Sequence, residues 1–167
     1  MNLIKLFKMQ KVLDDRIVKE NNITHDRLDN LIMALLDEVG ECAKETRCFK
    51  DWSKKGSSPR VVILEEYVDG FHFILSLGLY MEYDSHPQEL VDHYKENAHI
   101  FRYSSLTRQF IMIYDAVLNF AIRDVLYTEL FTLYLCLGDM LGFTHAEIQQ
   151  AYLLKNKVNH ERQDNGY

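Results

Sequence analysis

Glu38 and Glu41 stand three residues apart in "EVGE", and Glu66 and Asp69 stand three apart in "EYVD". On a helix, positions i and i+3 share a face, so each pair aims two carboxylates the same way. Two such helices packed antiparallel bring four carboxylates into one cleft. Hard oxygen donors in that number suit Mg2+, which keeps several waters and binds phosphate oxygens as well; Mn2+ takes similar ligands. An ExxE pair is also ordinary on a solvated helix face, with a partner such as Lys44 close to Glu41 and Glu45. The second pair is more telling. It lies in "LEEYVDGFHFILSLG", residues 64–78, part of a helix that is apolar nearly all round. Such helices are buried, and uncompensated buried carboxylates are expensive. A divalent cation neutralises them. Glu65, Asp69, His72 and Ser76 form the one polar stripe of this helix, with Glu66 flanking it, and His72 reads as a hydrogen-bonded core histidine.

The closing stretch "KNKVNHERQDNGY", residues 155–167, carries the complementary chemistry. Lys155, Asn159, Arg162 and Gln163 fall at i, i+4, i+7 and i+8 and share a helical face. Arginine grips phosphate with a planar fork and lysine acts as a point charge. An amide offers a donor and an acceptor together, which matches a pyrimidine edge. The same residues also fit a solvated terminal helix whose cations favour the C-terminal dipole. Set against the acidic pairs, they describe a site for a nucleotide polyphosphate.

The elements that must position these groups are helical. Two prolines and seven glycines in 167 residues disfavour a turn-rich β fold, and 47% apolar residues indicate a globular chain. Leu3, Leu6, Phe7, Leu13 and Ile17 mark a first amphipathic helix over 3–19, with Gln10 in the same stripe. A second runs over 26–46 on Leu28, Ile32, Leu35, Val39 and Ala43, with Thr24 or Asp26 at its N-cap. "DWSKKGSSPR" reads as an exposed loop, and the buried helix follows from Val61. Pro87 suits the first turn of a short helix, and residues 88–104 carry too weak a period to assign. Helices are expected over 105–122 and 125–141. The last helix opens on Thr144 and Glu147 as a capping box and leaves through Asn165 and Gly166. The expectation is one all-α domain over residues 1–167, a helical bundle.

Net charge is −6, which argues against a nucleic-acid polymer as partner. No apolar run reaches membrane-spanning length, and "MNLIKLFKMQ", broken by Lys5 and Lys8, does not read as a secretory signal. Cys42, Cys48 and Cys136 are too few and too scattered for a disulfide framework, so a reducing, cytoplasmic setting is expected.

These segments resemble the dimeric all-α dUTPases, a branch of the MazG-like all-α NTP pyrophosphatases, in their Gram-positive and phage form. ExxE followed by ExxD is the superfamily pattern. "MQKVLDDRI" at 9–17, "ETRCFKDWS" at 45–53 and "KNKVNHERQDNGY" at 155–167 resemble further motifs of that branch, while 82–150 has no match. The resemblance implies hydrolysis of dUTP, and of dUDP, to dUMP. It implies that Glu38, Glu41, Glu66 and Asp69 bind Mg2+, with Glu38 or Glu41 activating the water. Gln10, Trp52 and Asn159 would line the uracil and deoxyribose pocket. Lys155 and Arg162 would hold phosphates, and Tyr167 with Gly166 would order the closing tail. It also implies a homodimer, for which the aromatic helices at 105–141 are either the interface or the protomer's own core. Two alternatives stay open: a related pyrophosphatase for another nucleotide such as dCTP, and an added regulatory role in which the enzyme binds a repressor protein of a mobile element.

Overall fold

With few helix breakers, the chain stays helical over most of its length. The computed structural model describes residues 1–122 and 127–166, and among these are seven α-helices, a 3-10 turn at Tyr83–Ser85 and no strand. The helices are α1 (Leu3–Glu20), α2 (Leu28–Thr46), α3 (Arg60–Tyr80), α4 (Pro87–Phe101), α5 (Leu106–Ile122), α6 (Tyr127–Met140) and α7 (His145–Asp164). Boundaries expected from the sequence agree to within two residues wherever they are described; positions 125 and 126 of the expected sixth helix lie outside the described residues. Asp26 acts from just outside α2, its Oδ1 accepting from the Leu28 N–H at 2.8 Å. Thr144 and Glu147 form both halves of the capping box on α7. The unassigned stretch 88–104 is helical through Phe101, opened by Pro87 in its first turn.

α3 is the central element. It packs on α1, α2, α6 and α7, and eleven of its residues are buried. Its largely apolar character follows from that position: beyond its first turns it has no exposed residue until Tyr80, and so no solvent face to make polar. α6 is the second enclosed helix, packed on α3, α4 and α5, and it too buries eleven residues.

The two enclosed helices are joined by tyrosines seated over glycines. The Tyr67 hydroxyl donates to the Tyr134 carbonyl at 3.1 Å, and the Tyr134 hydroxyl donates to the Tyr67 carbonyl at 2.8 Å. Their ring centroids lie 4.8 Å apart. Each hydroxyl reaches a helix backbone only because a glycine leaves room. A Cβ at Gly70 would lie 2.2 Å from the Tyr134 hydroxyl, and one at Gly138 would lie 2.7 Å from that of Tyr67. Tyr127 repeats the arrangement, donating to the Ile74 carbonyl at 2.8 Å beside Gly78.

This geometry reverses an ordinary preference. Alanine is favoured over glycine inside a helix by about 1 kcal/mol. Gly70→Ala should instead destabilise the protein by about 1–3 kcal/mol, because the Tyr134 ring must leave its seat in a close-packed core. Urea denaturation followed by circular dichroism measures this. Adding Tyr134→Phe should recover part of the loss, since the hydroxyl that clashes is gone. A Gly70→Ala protein as stable as the parent would refute the account.

Candidate functional site

α2 and α3 run antiparallel, with Cys42 Sγ 4.0 Å from the Ile63 carbonyl and Glu38 Cβ beside Gly70. That alignment brings the two acidic pairs level. Carboxylate oxygens of Glu38, Glu66 and Asp69 all lie within 4.8 Å of one another, and all three residues are half-buried. Glu41 lies one turn along α2 with its carboxylate turned to Lys44 Nζ at 2.9 Å. Its charge still acts on Glu38 and Glu66.

Crowding of like charges in partial burial sets the titration of the cluster. Burial, followed by the charges of Asp69, Glu41 and Glu66, pushes the Glu38 carboxyl up to about 7. Burial raises Glu66 as well, with Glu41 and Asp69 adding to it. Asp69 is raised by burial, while Lys155 works in the opposite direction. Lys155 reaches in from α7, its Nζ 2.6 Å from Asp69 Oδ2 and 3.3 Å from Glu65 Oε1. One lysine therefore balances part of a larger negative charge. Three carboxylates at this spacing are a donor set that can hold a hard divalent cation.

A cavity of about 240 Å³ opens beside the cluster. Glu38 and Asp69 border it, and Asn159, Arg162 and Gln163 face it from α7. Arg162 Nη1 lies 3.5 Å from Asn159 Oδ1. Away from the carboxylates the lining becomes apolar and mixed, with Leu13, Ile17, Phe73, His72, Ser76, Asp14 and Arg27. Gln10 also borders the cavity, and it is the centre of a buried polar network. Gln10 Nε2 donates to Asp14 Oδ1 at 3.0 Å and to Ser76 Oγ at 3.1 Å. Gln10 Oε1 lies 2.8 Å from His72 Nδ1 and accepts from the Tyr152 hydroxyl at 2.9 Å. His72 stacks on Tyr152 with centroids 4.2 Å apart. Burial, aided by the charge of Lys155, lowers its pKa to about 3, so the imidazole is neutral near neutral pH.

The fold thus gathers Gln10, Glu38, Glu66, Asp69, Lys155, Asn159 and Arg162 around one cleft. Trp52 is not among them. It is 78% exposed in the loop after α2, edge-on to Phe49 at 6.2 Å. Tyr167 lies outside the described residues; Gly166 just before it has φ of +70°, the left-handed exit expected there. Asp14 and Arg27 are cavity residues that sequence reasoning missed. Asp14 had a signal, since it follows Gln10 by one helical turn; Arg27 had none.

An all-α bundle that sets clustered carboxylates of two helices against Lys155 and Arg162 of a third has the form of an all-α NTP pyrophosphatase. The family model for dUTPase matches residues 2–167. The chain belongs to this all-α dUTPase family, and the enzyme is a dUTP diphosphatase, a hydrolase that acts on dUTP. No curated protein matches the sequence. Among the described residues no helix is long and apolar enough to cross a membrane.

The raised Glu38 pKa gives stability a defined pH dependence in metal-free protein. The folded state holds a proton that the unfolded chain releases near 4.5. The resulting stabilisation is complete below that value and is lost as pH rises through about 7. Glu38→Gln cannot titrate there. Thermal midpoints of both proteins in EDTA should therefore diverge in favour of Glu38→Gln as pH climbs through that window. Parallel pH profiles would show that Glu38 is not under electrostatic pressure.

Proposed function

We propose that the acidic cluster and the adjoining cavity are one active site, in which dUTP lies with its phosphates between the cluster and α7 and its base at the His72 end. The observation that carries this reading is that Glu38 and Asp69 of the acidic cluster border the same cavity as Asn159 and Arg162 of α7, with Lys155 paired to Asp69. The carboxylates Glu38, Glu66 and Asp69 hold Mg2+, or Mn2+ in its place, and Glu41 joins them by turning from Lys44. When bound, the ion neutralises charge on the phosphoryl oxygens.

The chain's own groups do the rest. Lys155 exchanges its pairing with Asp69 for a phosphate oxygen. Arg162 takes phosphate through its fork, and Asn159, one turn before it, bonds the sugar or base. Glu38 or Glu41 orients the attacking water and accepts its proton. Gln10 lines the pocket from α1, its amide engaged by four protein partners. dUDP presents the same base and sugar with one phosphate fewer, so the same grip accepts it. Trp52 stands clear of its own cavity, and its exposure suits a covering role across a homodimer. Cys42, Cys48 and Cys136 are all free thiols, in keeping with a reducing, cytoplasmic setting.

The test is a nucleotide panel with Mg2+ and pyrophosphate release as readout. dUTP should be turned over in preference to dTTP, dCTP and UTP, and EDTA should abolish the reaction. Glu66→Gln should lower turnover by orders of magnitude with helical content unchanged; normal turnover in that variant removes the acidic cluster from the mechanism.

A second measurement addresses α7. Arg162→Ala should lower kcat/KM by about 2–4 kcal/mol if its guanidinium is a desolvated phosphate partner. Arg162→Lys should recover only part, because the planar fork is absent. A solvated cation would change kcat/KM by less than about 0.5 kcal/mol, and that result would take Arg162 out of the site.

A further inference from the structure

Every hydrogen-bonding position of the Gln10 amide is occupied inside the protein. Its two N–H bonds go to Asp14 and Ser76, and its carbonyl oxygen receives Tyr152 and His72. Ser76 also hydrogen-bonds Asp14, so the carboxylate accepts from two neighbours. An ionised carboxylate can only accept. Rotating the amide by half a turn would set its carbonyl oxygen against that carboxylate, 3.0 Å away on the present geometry. Asp14 therefore fixes which end of Gln10 faces His72.

The consequence passes to the imidazole. Gln10 offers His72 a carbonyl oxygen at 2.8 Å, so Nδ1 must carry the proton. A neutral imidazole has one N–H and one lone pair, which leaves Nε2 as an acceptor. The ring is neutral near neutral pH, since its pKa is lowered to about 3 by burial and the Lys155 charge. Stacking on Tyr152 holds its plane. His72 borders the cavity, and its Nε2 is buried with no hydrogen-bond partner among the described residues. A buried acceptor without a donor costs free energy until one arrives.

We infer that Asp14 and Gln10 are positioning residues that lock His72 as a hydrogen-bond acceptor toward the base, so that the site selects the N3–H of uracil over the bare N3 of cytosine. This rests on the reading that the base occupies the His72 end of the cavity. Uracil N3–H donates to Nε2. Cytosine sets its own N3 lone pair against that of Nε2 and leaves both unpaired. The opposite tautomer, with the proton on Nε2, would favour cytosine. The choice between the two bases is thus made by a carboxylate that acts through an amide and an imidazole.

Proton-detected nitrogen spectra of the imidazole in the full-length, nitrogen-15-labelled protein test this directly. In free enzyme, His72 should show Nδ1 protonated and Nε2 bare. Adding dUMP should shift the Nε2 signal, and dCMP should leave it in place. In Asp14→Asn, the amide of residue 14 can present either end, so Gln10 can turn and the His72 ring should populate both tautomers. The ratio of kcat/KM for dUTP over dCTP should then narrow by about 10-fold or more, as expected when a polar group that rejects the wrong base is no longer enforced. A merely structural Asp14 would lower both substrates together and leave the tautomer unchanged, and that outcome overturns the inference. So does a proton on Nε2 in the free parent protein, which needs no variant to fold. If dUMP binds and leaves the His72 ring signals untouched, the base lies elsewhere and the placement of the substrate fails instead.

Discussion

A helix stretch with no exposed residue leaves little water for its polar groups, and α3 from Glu66 to Leu79 is such a stretch. Each polar atom it carries must find a partner in the protein or in a ligand. The Tyr67 and Ile74 carbonyls receive tyrosine hydroxyls from α6. Ser76 and His72 meet Gln10 from α1. Asp69 meets Lys155 from α7. Glu66 meets other carboxylates, and His72 Nε2 meets no partner among the described residues, so at these two points the requirement is left unmet. The bundle is arranged around satisfying α3, and the one place where it falls short is the candidate site. A cluster of like charges costs stability in the metal-free protein and gives a cation its binding energy. Both effects come from the same half-buried carboxylates.

Side chains with the same sequence signal part ways once their neighbours are fixed. Glu38 and Glu41 are equivalent by spacing. Glu38 lies beside Gly70 of α3, and it joins the cluster. Glu41 faces outward enough for Lys44 to hold it. The i, i+3 rule could mark both residues and could not choose between them. Trp52 shows the same limit at larger scale. Its loop is tied down by Arg47, which bonds the Ser53 hydroxyl and, at 3.0 Å, the Lys55 carbonyl, and this keeps the indole away from the cavity.

What was legible in the sequence is what depends on period and on local chemistry. The stripes of α1, α2 and α3, the capping box of α7 and the shared face of Lys155, Asn159 and Arg162 all belong to that class. α4 was not legible, because its apolar stripe of Leu90, Val91, Tyr94 and Phe101 is thin and interrupted by polar residues. Leu90 is its one buried residue. Tyr94 also reaches Asp139 at 2.5 Å and His93 reaches Thr132 at 2.8 Å, so polar tips add to the anchoring by half-buried Val91, Tyr94 and Phe101. The Gln10 network was illegible for a different reason. Its members come from α1, α3 and α7, and the direction of an amide has no sequence signature. Only Asp14, four residues from Gln10 on the same helix, was within reach of a one-dimensional reading.

α7 connects the two ends of the site. Tyr152, Lys155, Asn159 and Arg162 fall on one face of it, and they serve in turn the imidazole network, the acidic cluster and the cavity. With dUTP placed as proposed, a displacement of α7 along α3 would therefore disturb base selection and phosphate binding together. The register of the two helices is pinned at their common end. Arg60, the first residue of α3, pairs with Glu147 at 2.7 Å, donates to the Gly142 carbonyl at 2.8 Å and lies over the Phe143 ring. Arg60 and then the Thr144 cap lower the Glu147 pKa to about 2. That anchor stays ionised throughout the range in which the acidic cluster takes up and loses protons. The carboxylates can thus change charge, or exchange Lys155 for a cation, while the helix that carries both substrate-facing ends keeps its place.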